Sequence, residues 1–187
     1  DLNRDTSAFT KTIKNFNEQV ETNSKIFTDK NYKEQSIDSI ILIISSYFET
    51  YQIVDQTYQK IKNSGLSDEF GSKALNDAIN NYYSGVTTMY NTFSSYDRES
   101  STKDDTFWSL TNEYEINLPY GSNKINLPFS ENETVRKEAF INKIESNMGR
   151  NKLRNNIYRK NIGIDFVQQT QKKANELITL IEEELKD

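Results

Sequence analysis

Apolar residues recur at every third or fourth position along most of this chain, and few helix-breaking residues interrupt them. Only 6 Gly and 2 Pro occur among 187 residues. An amphipathic helix shows this spacing because one of its faces is buried. All-β domains need many turns, which are rich in Gly and Pro. The pattern therefore predicts an all-α fold built from long helices.

Four apolar stripes define the long helices that we expect. They predict helices over about residues 5–28, 37–63, 72–96 and 152–186. Asp97–Thr102 is predicted to be a polar turn, and shorter helices are predicted over 104–114 and 131–148, with a break or bend at Gly149. Gly163 could mark a bend in the last helix, because Gly weakens a helix by about 1 kcal/mol relative to Ala.

Four amphipathic segments must bury their stripes against one another, which favours an antiparallel up-and-down helical bundle of four to six helices. Both prolines, Pro119 and Pro128, lie in one stretch. The residue before a proline avoids the helical conformation. We therefore predict one short irregular excursion over about 115–130, within a single helical domain over 1–187.

The absence of His and Cys removes whole classes of chemistry. It excludes a thiol nucleophile, an imidazole base, a zinc finger and a Glu-x-x-His di-iron bundle. No Gly-rich phosphate loop occurs in the sequence. We therefore expect no catalytic residues, no metal site and no cofactor; a carboxylate enzyme that uses a hard cation is a distant third alternative. The net charge of -5 argues against nucleic acid as a partner.

Two groups of residues are candidates for binding. Tyr side chains combine apolar area with a polar tip, which suits a ligand groove or an interface as well as an ordinary bundle core. The first group, a candidate surface for a small ligand or a protein partner, comprises Tyr82, Tyr83, Phe107 and Trp108.

The second group lies in the segment 136–160, which is rich in Lys and Arg. Such a segment could bind anionic lipid or an anionic polymer, or it could be a surface face paired with acids on neighbouring helices. The candidate anion-binding residues are Arg150, Arg154, Arg159 and Lys160.

Three stretches resemble a known family: Thr57–Gly65, Leu75–Tyr83 and Ala174–Leu185. They are similar to segments of a bacterial envelope family described as domain of unknown function 6090. Members commonly carry one N-terminal transmembrane helix followed by a helical region outside the cytoplasm. No catalytic residues are attributed to this family, so none are carried over to this sequence.

The resemblance implies a non-catalytic domain for interaction or sensing, anchored in the inner membrane on its periplasmic side. The sequence begins with Asp1 rather than Met, so we expect the anchor or a signal to precede it. A cytoplasmic location is the alternative. The expected partner is a protein or a small ligand, and the domain could assemble into a homo-oligomer.

Overall fold

The computed structural model of the chain describes residues 1–65, 71–117 and 127–186. Within these ranges the structure contains α-helices, one 3-10 helix and one π-helical segment, and no strand. The α-helices are α1 (Leu2–Thr28), α2 (Ile37–Ile44), α3 (Gln56–Asn63), α4 (Lys73–Asn80), α5 (Thr87–Ser109), α6 (Glu133–Glu145) and α7 (Asn147–Glu184). The predicted all-α, helical-bundle class is confirmed.

Two short elements connect these helices. A 3-10 helix covers Lys30–Glu34 between α1 and α2, and a π-helix covers Asn81–Val86. The π-helix joins α4 to α5 without a break in helical backbone. Of the predicted excursion over 115–130, residues 115–117 and 127–132 are non-helical, and residues 118–126, which include Pro119, lie outside the described residues.

The last helix, α7, runs through Gly163 without a break. A Cβ atom at Gly163 would lie 2.7 Å from ring atoms of both Phe16 and Phe93. Real Cβ atoms essentially never approach that closely, so glycine lets two aromatic rings pack directly on the helix backbone. The residue therefore marks a close contact between this helix and two aromatic side chains.

The predicted helix over 37–63 is wrong, because it is divided into α2 and α3 by an irregular segment over 45–55. Side chains of α1 bind the backbone where α2 ends. The Gln19 amide pairs with both the N–H and the C=O of Tyr47, each at 3.0 Å. Asn23 donates to the carbonyls of Ile43 and Ser45. These bonds replace the helical ladder that the apolar periodicity predicted.

The predicted turn at Asp97–Thr102 is also wrong, because α5 continues through it to Ser109. Asp97, Ser101 and Asp104 follow the spacing of one helix face, and all three are buried. The polar residues of this segment indicated an exposed turn, whereas the structure buries these side chains in the interior, where they contact cationic side chains of α7. Of the short helix predicted over 104–114, residues 104–109 are the end of α5 and residues 110–114 are non-helical.

The break predicted at Gly149 lies three residues earlier, at Ser146, between α6 and α7. The Ser146 hydroxyl accepts a hydrogen bond from the Gly149 N–H at 3.0 Å and so caps α7. A Cβ atom at Gly149 would overlap the carbonyl oxygen of Lys143. Glycine is therefore required at position 149, because the backbones of α6 and α7 lie too close together here for a side chain.

The chain divides into two compact units. Unit 1 comprises Asp1–Phe16, Glu49–Tyr96 and Ile162–Asp187, and unit 2 comprises Asn17–Phe48 and Asp97–Asn161. Unit 1 buries aromatic rings that contact one another, among them Phe9, Phe16 and Tyr90. Unit 2 buries an aliphatic and aromatic cluster from α2, α6 and the start of α7, centred on Ile40, Phe140 and Ile144.

Candidate functional site

A cavity of about 570 Å³ lies in unit 1, formed by the start of α1, α3, α4, the π-helix and the end of α7. This volume falls within the range that small-molecule sites occupy. The apolar lining residues are Leu2, Tyr58, Ile61, Leu75, Ile79, Tyr83, Leu177, Ile178, Ile181 and Leu185. An apolar wall of this size favours a ligand with a substantial hydrocarbon or aromatic part.

Two stacked tyrosines form one part of the cavity wall. The rings of Tyr58 and Tyr83 lie 4.6 Å apart, with an angle of 10° between their planes. The Tyr58 hydroxyl donates to Asn80 Oδ1 at 3.1 Å, which fixes one ring of the stack. Tyr83 lies on the π-helix, and π-helical turns are found frequently at functional sites. The stack gives the cavity a flat aromatic surface with polar tips.

The neighbouring Tyr82 points away from the cavity into the interior, where it is 2% exposed. Its hydroxyl donates to Asp5 Oδ2 at 3.3 Å. The fully buried Asp5 also accepts hydrogen bonds from the Tyr51 hydroxyl and from the Val54 N–H, through Oδ1. Three hydrogen-bond donors therefore satisfy this carboxylate, and they fix the position of Tyr82 behind the wall that contains Tyr83.

Burial raises the pKa values of the tyrosines in this region. The pKa of Tyr83 rises to about 12, first through burial and then through the nearby carboxylates of Asp5 and Asp55. The pKa of Tyr82 also rises, for the same first cause and through Asp5. Both hydroxyls therefore stay protonated at neutral pH, and that of Tyr82 donates to Asp5.

A larger, open depression of about 1020 Å³ lies in unit 2, beside the end of α5 and α6. Its wall combines Phe107 with polar groups such as Asn112, Asn142 and Lys143. The Lys143 ammonium lies 4.7 Å from the centroid of the Phe107 ring. It also pairs with Glu113 at 3.4 Å, so this cation, the only one among the described residues of the wall, is already balanced.

The four aromatic residues predicted as one ligand surface are thus divided. Tyr83 lines the unit 1 cavity, and Tyr82 supports it from behind. Phe107 lines the depression of unit 2, and Trp108 is 3% exposed within the core of that unit. Sequence reasoning missed the aliphatic walls from α3, α4 and α7, which are distant in sequence.

Two of the four residues predicted for an anionic partner lie in the interior of unit 2. Lys160 is fully buried and binds both carboxylate oxygens of Asp97, at 2.6 and 2.8 Å. Arg159 is 5% exposed and contacts Asp97 at 2.9 Å and Asp104 at 3.1 Å. A surface patch that includes these two residues is therefore ruled out, because their charges are neutralised in the interior.

Uncharged side chains complete this buried network. Arg159 also donates to Ser46, Ser101 and Asn156, and Asn156 donates to Asn23 on α1. Burial lowers the pKa of Lys160 to about 8, and the facing Asp97 opposes this effect. The network has the composition of a reactive centre, but its residues are buried and none of them lines either of the two cavities described above, so it fits a structural role.

Arg150 and Arg154, the other two predicted residues, lie nearer the surface of unit 2. Their guanidinium carbons are 4.6 and 5.0 Å from the centroid of the Phe27 ring, which gives cation–π contacts. Arg154 is exposed and Arg150 is half-buried. Of the predicted patch, only these two arginines remain near the surface, and both contact the ring of Phe27.

Within the described ranges, no three acidic side chains gather in a group that could hold a metal ion. No helix there is long and apolar enough to cross a membrane. Comparison of the chain with protein-family models, with curated proteins and with solved structures finds no match.

Proposed function

We propose that this chain is a non-catalytic binding domain, and that its ligand is a small, largely apolar molecule held in the unit 1 cavity. The observation that carries the proposal is the cavity of about 570 Å³ with its aliphatic lining and the Tyr58–Tyr83 stack. Ligand sites of this kind pair an apolar wall with a few polar groups that fix orientation.

The resemblance to the envelope family supports an extracytoplasmic location for this function, with a membrane anchor outside the sequence given. Binding by a domain outside the cytoplasm suits sensing or capture of an apolar molecule. The location has its own test: alkaline phosphatase fused to the full-length gene product is expected to be active in a bacterial host. An inactive fusion would instead support the cytoplasmic alternative.

The neutral fluorescent probe N-phenyl-1-naphthylamine tests the binding proposal. Its fluorescence is expected to rise and to saturate with the wild-type protein. Ile178→Trp should abolish most of this rise, because Ile178 lines the cavity and an indole would occupy its volume. Leu180→Trp is the matched control: it lies on the same helix, is 37% exposed and does not line the cavity.

Circular dichroism of both variants should match that of the wild type. Absence of any saturable signal with the wild-type protein would refute the proposal. Equal loss of signal in both variants would also refute it, because the probe would then bind elsewhere on α7.

A further inference from the structure

The charged side chains that line the unit 1 cavity are all acidic among the described residues. They are Asp1, Glu182 and Glu184. The rest of the lining is apolar or uncharged, so negative charge borders a hydrocarbon wall. A ligand that fills the apolar volume therefore places its end in a negative field.

Two of these carboxylates are held by backbone donors. Asp1 Oδ2 accepts from the Thr57 N–H at 2.9 Å, and Glu184 Oε1 accepts from the Ser72 N–H at 2.6 Å. Each of these hydrogen bonds holds one carboxylate group at the cavity. Glu182 is exposed and lies one turn after Ile178, which is itself part of the apolar wall.

No lysine or arginine of the described ranges forms an ion pair with these three carboxylates. Lys62 lies nearby, with its ammonium 6.0 Å from the centroid of the Tyr58 ring. Its aromatic contact is with the ring of Tyr58 on the same helix, and it does not itself line the cavity. The negative charge of the lining is thus available to a ligand.

We infer that the cavity selects amphipathic cations: molecules with an apolar chain and a permanently positive head group. This inference rests on the proposed function and adds the class of ligand. The apolar chain of the ligand would contact the aliphatic residues and the tyrosine stack, and its head group would lie beside Glu182 and Glu184.

Three probes with the same decyl group distinguish the effect of head-group charge on affinity from the effect of apolar burial: decyltrimethylammonium, decanol and decyl sulfate. Each is titrated, below micelle formation, against the protein loaded with N-phenyl-1-naphthylamine. Displacement is expected in the order cation, alcohol, anion. Glu182→Gln combined with Glu184→Gln should weaken the cation about five-fold, the effect expected of two solvent-accessible ion pairs. The affinity of decanol should change less than two-fold.

Glu183→Gln is the matched control, since Glu183 is an exposed carboxylate between the two test positions and does not line the cavity. It should leave all three affinities unchanged. Equal binding of the three probes, or tighter binding of decyl sulfate, would overturn the charge selectivity and leave the proposed function intact. Failure of every probe to displace the dye would overturn both.

Discussion

Removal of the Lys160 ammonium is expected to destabilise the protein severely. Lys160 is fully buried, and Asp97, its partner, is 2% exposed. In Lys160→Met, Asp97 keeps only part of its pairing, through Arg159 Nε at 2.9 Å. The carbonyl of Tyr47 also loses the donor that Lys160 provides. A buried carboxylate is thus left under-neutralised.

The expected cost follows from the burial of the pair. Breaking a buried ion pair by removal of one partner costs about 3–5 kcal/mol. Solvent screening does not reduce this figure, because neither group is exposed. It is a large share of the free energy of unfolding of a typical domain, about 5–15 kcal/mol. Asp97→Asn should cost a similar amount, because it leaves the buried ammonium without its carboxylate.

The double variant Asp97→Asn with Lys160→Met should lose at least 1 kcal/mol less than the sum of the two single variants, because it removes both members of the pair. Urea unfolding at pH 7 measures these energies, followed by the fluorescence of Trp108, the single tryptophan, which lies in the core of unit 2. Lys103→Met is the control. Its ion pair with Glu99 is well exposed, so Lys103→Met should unfold at nearly the same urea concentration as the wild type.

The reasoning would be refuted if Lys160→Met and Lys103→Met unfolded at the same urea concentration. It would also be refuted if the effects of Asp97→Asn and Lys160→Met were simply additive. Either result would mean that the buried charges do not interact as the structure shows.

Two further predictions concern other parts of the chain. Gly149→Ala should cost about 1–3 kcal/mol in urea unfolding, since its Cβ would overlap the Lys143 carbonyl, whereas Gly85→Ala meets only the side chain of Asn81 and should cost less. Burial raises the pKa of Tyr90 to about 12, so the unfolded chain loses the Tyr90 hydroxyl proton near pH 10 and the folded chain loses it only near pH 12. The free energy of unfolding should therefore fall between pH 10 and 12, and Tyr90→Phe should make that fall smaller.

Local patterns in the sequence were sufficient for two of the four long helices, α1 and α7. The α1 stripe of Phe9, Phe16 and their neighbours, and the α7 stripe that includes Leu153 and Val167, predicted both helices closely, since each is buried along one face. Ser72, the first residue of the helix predicted over 72–96, is the N-cap of α4: its hydroxyl accepts from the Leu75 N–H. These signals depend on neighbours within one or two turns, which a sequence displays.

The errors arose where distant residues decide the local conformation. Asp97 and Ser101 were predicted to lie in an exposed turn, because their burial depends on Arg159, which is about 60 positions away in the chain. The residues after Ile44 continue a helical apolar pattern, but Gln19 binds the Tyr47 backbone within a non-helical segment. Neither partner can be read from the segment itself.

The candidate site was predicted only in part. The Tyr82–Tyr83 pair attracted attention through its composition, and Tyr83 does line a cavity. The remaining walls come from four segments of the chain, so their convergence required the fold. The basic segment misled because a count of Lys and Arg does not distinguish surface charge from the buried Arg159 and Lys160.

Amide chemical-shift mapping with decanol tests most directly the claim that the unit 1 cavity binds ligand. Saturable shifts are expected to cluster at Tyr58, Tyr83 and Ile178, which line the cavity. Shifts centred instead on Phe107 and Lys143 in unit 2, or no saturable shifts at all, would contradict the account.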